Sequence, residues 1–353
     1  MTATTSEPIL LKLSLNSRSL EVERPRARRW LGLAVLLGAA ILALPATSSA
    51  QSPNAGARVW HIGLFHVGLD HVPPSVPALR ESLAKLGYED GKNIRFDFRN
   101  QKDEEAARRT ARDFVRERVD LIVAIENQAL RAAAAIKTRT PILFMHIFDP
   151  VSGGFVRSLA HPGGSITGFA SPELIAKRLE LFKEAYPGLR RVLGLVDPKD
   201  PGSDRLLAEV RRAARTLGLV LVESNVSTLA ETERVYHALK PGEVDGVLTI
   251  SSSLRTNFSG ALIRMSVERR LPIVGHRREW AEQGALLSYG DDFASVGRAA
   301  ATTVDKLLKG ANAADLPVEV WSGILLIVNL RTAKSIGITV PQSILLRASE
   351  VIE

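Results

Sequence analysis

Asp149 closes a short apolar run in the stretch PILFMHIFDPVSGG, residues 141–154. An acid at the end of such a run is where α/β enzymes often hold a catalytic carboxylate. Catalysis would require a nucleophile, a second acid or a cofactor beside it. The chain has no Gly-x-Ser-x-Gly elbow, no Walker loop, no Gly-x-Gly-x-x-Gly after its first strand and no His-Glu-x-x-His. Among its seven histidines, His61, His66 and His71 are spaced by five, which suits neither a helix face nor one side of a strand. No metal site is expected from them. Asp291 and Asp292 are adjacent acids, the second placed to cap the helical pattern FASVGRAAATTVDKLLKG. Cysteine is absent, which removes disulfides, thiolate metal sites and a cysteine nucleophile. The expectation is therefore no catalytic residue, no metal and no cofactor.

The elements that must position these residues alternate. Past Arg58, the runs RVWHIGLF, KNIRFDF, VDLIVAI and PILFM are separated by stretches such as VPALRESLAKLG and DEEAARRTARDFVRER. Apolar residues recur there at three- and four-residue spacing, as on one face of a helix. This βαβα order implies a parallel sheet covered by helices on both faces. A helix predicted over Pro172 to Ala185 leads into a second set: RVLGLV, LVLVES, VDGVLTI and LPIVG, again with amphipathic stretches between. VDLIVAI-ENQ corresponds to VDGVLTI-SSS, and TPILFM to LPIVG. The fold class is thus α/β, with two similar doubly wound lobes.

In open parallel sheets ligands collect beyond the carboxyl ends of the strands, near helix N-termini. In the first lobe those ends carry His66, Glu126, Asn127, Gln128 and Asp149. In the second they carry Asp197, Ser251, Ser252, Ser253, Arg277, Arg278 and Glu279, and Tyr289 and Asp291 join them as ligand-binding candidates. If the lobes face each other through these ends, one cleft holds them all. Structural roles compete at several positions. Asp149 before Pro150 also reads as an N-cap with proline at the first helical position. The serines could cap a helix beginning near Thr256, and Arg277 with Arg278 could be a solvated pair. A guanidinium in the cleft would instead suit a carboxylate, by paired hydrogen bonds. Glu126, if it faces the cleft, would suit a cationic or amino-bearing ligand.

At the N-terminus, Arg24, Arg26, Arg28 and Arg29 precede the apolar run Trp30 to Leu44, and PATSSA follows. This has the form of a secretory signal peptide, residues 1–50, cleaved near Ala50. The fifteen-residue run is shorter than the roughly 20 residues of a spanning helix. Six basic and three acidic residues lie in that segment, so the net charge falls from +8 to +5 on its removal. The charge is spread along helices without an aromatic-interleaved stripe, so no nucleic-acid partner is expected. The 303 residues that remain suit two domains of ordinary size.

The phrases RESLAKLGYEDGKNI, FDPVSGGFVRSLAHPGGSITGF, LLSYGDDFASVGRAA and NLRTAKSIGITVP carry a similarity that runs from Arg58 to Glu353. Through them the sequence resembles the periplasmic substrate-binding proteins of ABC transporters, in the branch that includes aromatic amino-acid binders. The resemblance implies a type I periplasmic-binding-protein-like fold with a hinge, closure on a small ligand, and a membrane permease as partner. It implies lobe 1 over 57–170 and 290–313, lobe 2 over 171–289 and 314–353, a periplasmic location and a monomer. Relatives usually carry a Gly-Thr-Pro or Gly-Ser-like turn where this chain has Glu126-Asn127-Gln128. They more often carry smaller or aromatic residues at His146 and at Arg277-Arg278. These departures fall at the expected cleft, so the relatives' ligand is not carried over; Glu126, the serines and Arg277 lead to the expectation of an amino acid or another small polar molecule with a carboxylate. The competing function is a periplasmic sensor that presents ligand to a receptor kinase. An enzyme with Asp149 or Glu126 as general base ranks third.

Overall fold

The computed structural model describes residues 58–68 and 71–353; the basic block, the apolar run and the cleavage position near Ala50 lie outside the described residues. In chain order the strands are β1 (Trp60–Val67), β2 (Ile94–Gln101), β3 (Leu121–Ile125), β4 (Ile142–Phe148) and β5 (Ile166–Ser171). Then come β6 (Arg191–Val196), β7 (Val220–Asn225), β8 (Gly246–Thr249), β9 (Val274–Gly275) and β10 (Leu287–Asp291). The chain ends with β11 (Glu319–Val320), β12 (Ile324–Asn329) and β13 (Glu350–Ile352).

The first lobe is a sheet of order β11-β5-β4-β3-β1-β2, parallel throughout. Strand β3, LIVAI, is buried at every position. Helices cover both faces, which is why the apolar run shows no alternation with polar residues. Leu79 and Leu83 of helix Ser75–Lys85 pack with Val296 and Val304 of helix Phe293–Leu308 on one face. Phe114 of helix Glu104–Arg116 and Leu130 of helix Glu126–Ala134 pack on the other.

The second lobe joins β7-β6-β8 to β13-β12-β10-β9 through a parallel bridge between Val247 and Ile273. Its pairs are parallel except β10 with β12. Leu179 and Phe182 share one core with Leu207 and Val210, and Tyr236 shares the other with Leu262 and Ile263.

Local chemistry sets the helix starts. Asp103 sits in extended backbone and accepts from the Ala106 N–H, with Glu104 and Glu105 in the first turn beside the helix dipole's positive end. Thr228 and Glu231 form a reciprocal capping box. The helix expected from Pro172 begins at Ile175 instead, because the Glu173 carboxylate accepts the N–H groups of Leu174 and Ile175. The helix expected near Thr256 starts earlier, at Ser252.

The chain passes between the sheets at Ser171, at Asp292 and at 321–323, and these crossings are bonded to one another. Ser171 Oγ donates to Asp291 Oδ2, Asp292 N to Gly323 O and Trp321 N to Ala170 O. After the second crossing, helix Phe293–Leu308 lies against helix Ser75–Lys85. A Cβ at Gly297 would stand 2.1 Å from Ser75 O, so glycine is what allows that approach. The strand pairing moves the expected division of the chain. β10 belongs to the second sheet through Asp291, so 290 and 291 do not go with the first lobe. Glu319 and Val320 pair with β5, and Trp321 packs in the first lobe's core, so the return to the second lobe comes after 321 rather than at 314.

Candidate functional site

The carboxyl ends of the two sheets meet. Six non-glycine residues have a left-handed backbone among the described residues. Arg118, Lys137 and Arg270 follow helix ends, where that conformation is ordinary. The other three, Glu126 (φ 67°), His146 (φ 61°) and Asp149 (φ 48°), line the edge of β3 and β4. His146 sits at an irregularity where the β4–β5 register shifts between Met145 and Ile147. Such backbone costs about 1–3 kcal/mol per residue and concentrates at functional sites.

Glu126 is buried and joins the lobes. Its Oε1 accepts from Arg277 Nη1 at 3.1 Å and its Oε2 from Thr256 Oγ1 at 2.8 Å, with His66 Nε2 3.2 Å from Oε2. Nearby, Gln128 Nε2 donates to Asn257 Oδ1 at 3.3 Å, and His146 Nδ1 lies 3.4 Å from Asp291 Oδ2. The His146 ring stacks on Phe293 at 3.5 Å between centroids. Glu126 borders the space between the lobes, with both of its oxygens engaged inside the protein.

Three arginines of the second lobe are buried around the same point, at 2–3% exposure. Arg277 is held by Glu126. Arg178 donates through Nε to Tyr289 O at 2.8 Å, but its Nη1 finds no hydrogen bond. Arg255 lies over the Phe148 ring, and neither Nη1 nor Nη2 has a hydrogen-bond partner. Burial, and next Arg255's charge, bring Arg178 down to about 9. Arg255 borders a deep chamber of about 20 Å³ with Glu126, His146, Phe148 and His276, room for roughly one water. It also borders a wider cavity of about 370 Å³, shared with Phe148, Asp149, Phe155 and Arg205. The wider one lies in the range of small-molecule sites, roughly 300–1,000 Å³.

The sequence candidates separate. Glu126, Asn127, Gln128 and Ser252 border the chamber, and Asp149 the wider cavity. Arg277 and Asp291 hold chamber residues in place, as His66 does from beneath Glu126. Asp197 and Ser251 turn into the second lobe: Asp197 accepts from Ser227 and Ser253, and Ser251 contacts Ser203 and the Asp197 N–H. Tyr289 contributes only its carbonyl. Glu279 lines a different cavity, with Arg278 and Asp292. Arg278 is the solvated member of its pair, bonded to Glu282 and Glu350. Asp149 accepts from the Ser152 N–H, but a turn follows rather than a helix. Asp292 stands at its helix start without a side-chain cap and pairs with Arg298. Arg255, Arg178, Phe148 and His276 were absent from the sequence candidates. Arg178 had a signal, since it falls on the buried stripe of its helix with Ile175, Leu179 and Phe182. Among the described residues no group of His, Asp and Glu is arranged to hold a metal ion.

The family of ABC transporter substrate binding proteins matches residues 66–352. This chain belongs to that family. Its members bind substrates and are not enzymes. A tyrosine-binding protein of Clostridioides difficile is 28% identical to this substrate-binding protein over 257 residues, 72% of this chain and 74% of the relative. A Streptococcus pneumoniae structure in complex with L-Trp has a TM-score of 0.73 at 26% identity, over 83% of this chain and 99% of that one. The ligand-free, open structure of a substrate-binding protein with adhesive properties from Clostridium difficile has a TM-score of 0.62 at 25% identity, over the same shares.

The cleft of this substrate-binding protein gives its stability a pH dependence. Burial, then the charges of Arg277, Arg255 and Arg178, hold the His276 imidazole well below 6.5, with Glu126 opposing. Burial acts to raise the Glu126 carboxyl, but His66, Arg277 and His276 outweigh it and hold it well below 4.5. Both groups therefore bind fewer protons folded than unfolded, and stability falls as pH falls. The His276 contribution is lost downward from about 6.5 and the Glu126 contribution downward from about 4.5. The urea midpoint should drop between pH 7 and 5, and His276→Gln should flatten that segment alone. A midpoint constant from pH 7 to 4 would contradict this.

Proposed function

We propose that this protein is the extracytoplasmic receptor of an ABC importer. Its lobes close on a small carboxylate-bearing ligand, an amino acid or a related acid, and present it to a membrane permease. The observation that carries the ligand class is Arg255. A guanidinium this buried is stable only with a partner; Arg255 borders the cavity between the lobes with neither terminal nitrogen hydrogen-bonded, and its fork would match a carboxylate's two oxygens.

The three bonded crossings supply a hinge, and hinge closure around a ligand is a motion of known type. The inter-lobe bonds of Glu126 and Gln128 support closure, as does the better match to the tryptophan complex than to the open, ligand-free structure. The secretory leader read at the N-terminus supports export to the periplasm. Native mass spectrometry of protein purified without unfolding, followed by ligand extraction, tests the reading. One carboxylate-bearing small molecule per chain is expected; recovery of a neutral sugar or a metal complex would sink it.

A further inference from the structure

Resting on the carboxylate reading of Arg255, we propose that this substrate-binding protein takes up a proton along with its ligand. His276 is the group that gains it, so the carboxylate is held more tightly as the surroundings acidify.

The two groups share a chamber. His276 follows β9, is 6% exposed, and borders the deep chamber of about 20 Å³ together with Arg255, His146 and Glu126. A second chamber, of about 10 Å³, adds Arg178 and Asp291 to its surroundings. The ring's Nδ1 has no hydrogen-bond partner, and Trp280 meets the ring in a T-shaped contact at 5.6 Å between centroids.

The charged groups around the imidazole come from several elements. Arg277 follows it in the chain, Arg255 comes from helix Ser252–Asn257, Arg178 from helix Ile175–Ala185 and Glu126 from the first lobe. Asp291 of β10 and His146 of β4 border the same space and lie 3.4 Å from each other. Arg277 is bonded to Glu126, and Arg178 has Glu173 at 3.7 Å. Arg255 has no carboxylate partner among the described residues. A proton on His276 would therefore share a space for roughly one water with an unanswered guanidinium, where like charges repel far more than in solvent.

A carboxylate on Arg255 removes that repulsion, whichever of the two cavities Arg255 borders holds the rest of the ligand. Burial, Arg277 and Arg178 still oppose the proton, but one of the three charges that hold the imidazole well below 6.5 is cancelled. The bound state thus binds this proton more readily than the free state. By linkage the protonated protein binds the carboxylate more tightly by the same factor. Affinity should be level above about pH 6.5 and rise below it.

The test is isothermal titration of protein stripped of ligand, at pH 7.5 and pH 5, with L-phenylalanine, L-leucine, L-serine and L-lactate, whose carboxylates stay ionised at both. At pH 5, two buffers of different ionisation enthalpy read the proton uptake. Any of these compounds that binds should do so at least about threefold tighter at pH 5, with net uptake of protons. In His276→Gln both the gain and the uptake should vanish. Affinity that is flat or falls, proton release, or uptake that survives in His276→Gln overturns this inference and leaves the carboxylate reading standing. Failure of every compound to bind sinks the carboxylate reading, and this inference with it. Arg255→Gln supplies an arm without ligand: the His276 ring signal in NMR, assigned by its loss in His276→Gln, should titrate at higher pH than in the parent protein. An unchanged titration would mean that the two groups do not feel each other, and would overturn the coupling.

Discussion

Arg255→Gln should weaken binding of a carboxylate ligand at least a hundredfold and, in the same protein, raise the melting midpoint of the ligand-free state. The two effects have one cause. With ligand bound, the Arg255 fork would make two charge-assisted hydrogen bonds, each contributing about 1.5–3 kcal/mol. Loss of about 3 kcal/mol corresponds to roughly a hundredfold in affinity. Without ligand, the same guanidinium is 3% exposed, has no hydrogen bond from either terminal nitrogen and rests only on the Phe148 ring. Cation–π contact returns about 2 kcal/mol at best, against several for burying an ion without its partner. A neutral glutamine removes that cost and relieves Arg178, which Arg255 helps to hold down. Arg255→Lys keeps the charge and loses the planar fork, so it should weaken binding without the gain in melting midpoint. Titration calorimetry and thermal unfolding read the two arms. If Arg255 were only structural, the glutamine variant would melt lower and leave affinity unchanged.

Most of the architecture was legible because its signals are local. Buried parallel strands such as LIVAI announce themselves as unbroken apolar runs, and the helices between carry their stripes at regular spacing. The crossings were less legible. β10 and helix Phe293–Leu308 are contiguous in sequence and sit on different lobes. Nothing within the window of either element says so; the contact at Gly297 that fixes the helix comes from residues more than two hundred positions earlier.

The site was legible by position and less so by role. Strand ends pointed to Glu126, Asn127 and Asp149, and all three border the cavities. What the sequence could not show is which polar groups would satisfy each other. Asp197 and Ser251 have the right address and are consumed by Ser227, Ser253 and Ser203 within their own lobe. Arg255 lies in the first turns of a short helix, four residues after Ser251, where a basic residue ordinarily reads as solvated. The sequence around it does not show that Phe148 of the opposing lobe lies against its guanidinium in a buried setting.

Glu126→Ala, finally, should cost the protein about 3–5 kcal/mol, the loss expected when one member of a buried ion pair is left behind. Arg277 would keep its burial without Glu126, Thr256 would lose its acceptor and His66 the carboxylate 3.2 Å from its Nε2. Because Glu126 belongs to the first lobe and its partners Arg277 and Thr256 to the second, the loss should fall on the contact between lobes. Small-angle scattering of the ligand-free variant should show a larger radius of gyration. Backbone strain acts the other way: Glu126→Gly would release part of the cost of φ 67° while still breaking the pair, so its loss should be smaller than alanine's. The double variant Glu126→Ala with Arg277→Met removes both charges and should recover most of the stability. A double-mutant cycle in urea with a coupling below about 0.5 kcal/mol would mean that the pair is spectator to closure. A coupling of several kcal/mol would make it the contact that holds the lobes together before any ligand arrives. The ligand would then draw its affinity from Arg255 and Arg178, the charges that Glu126 leaves unanswered.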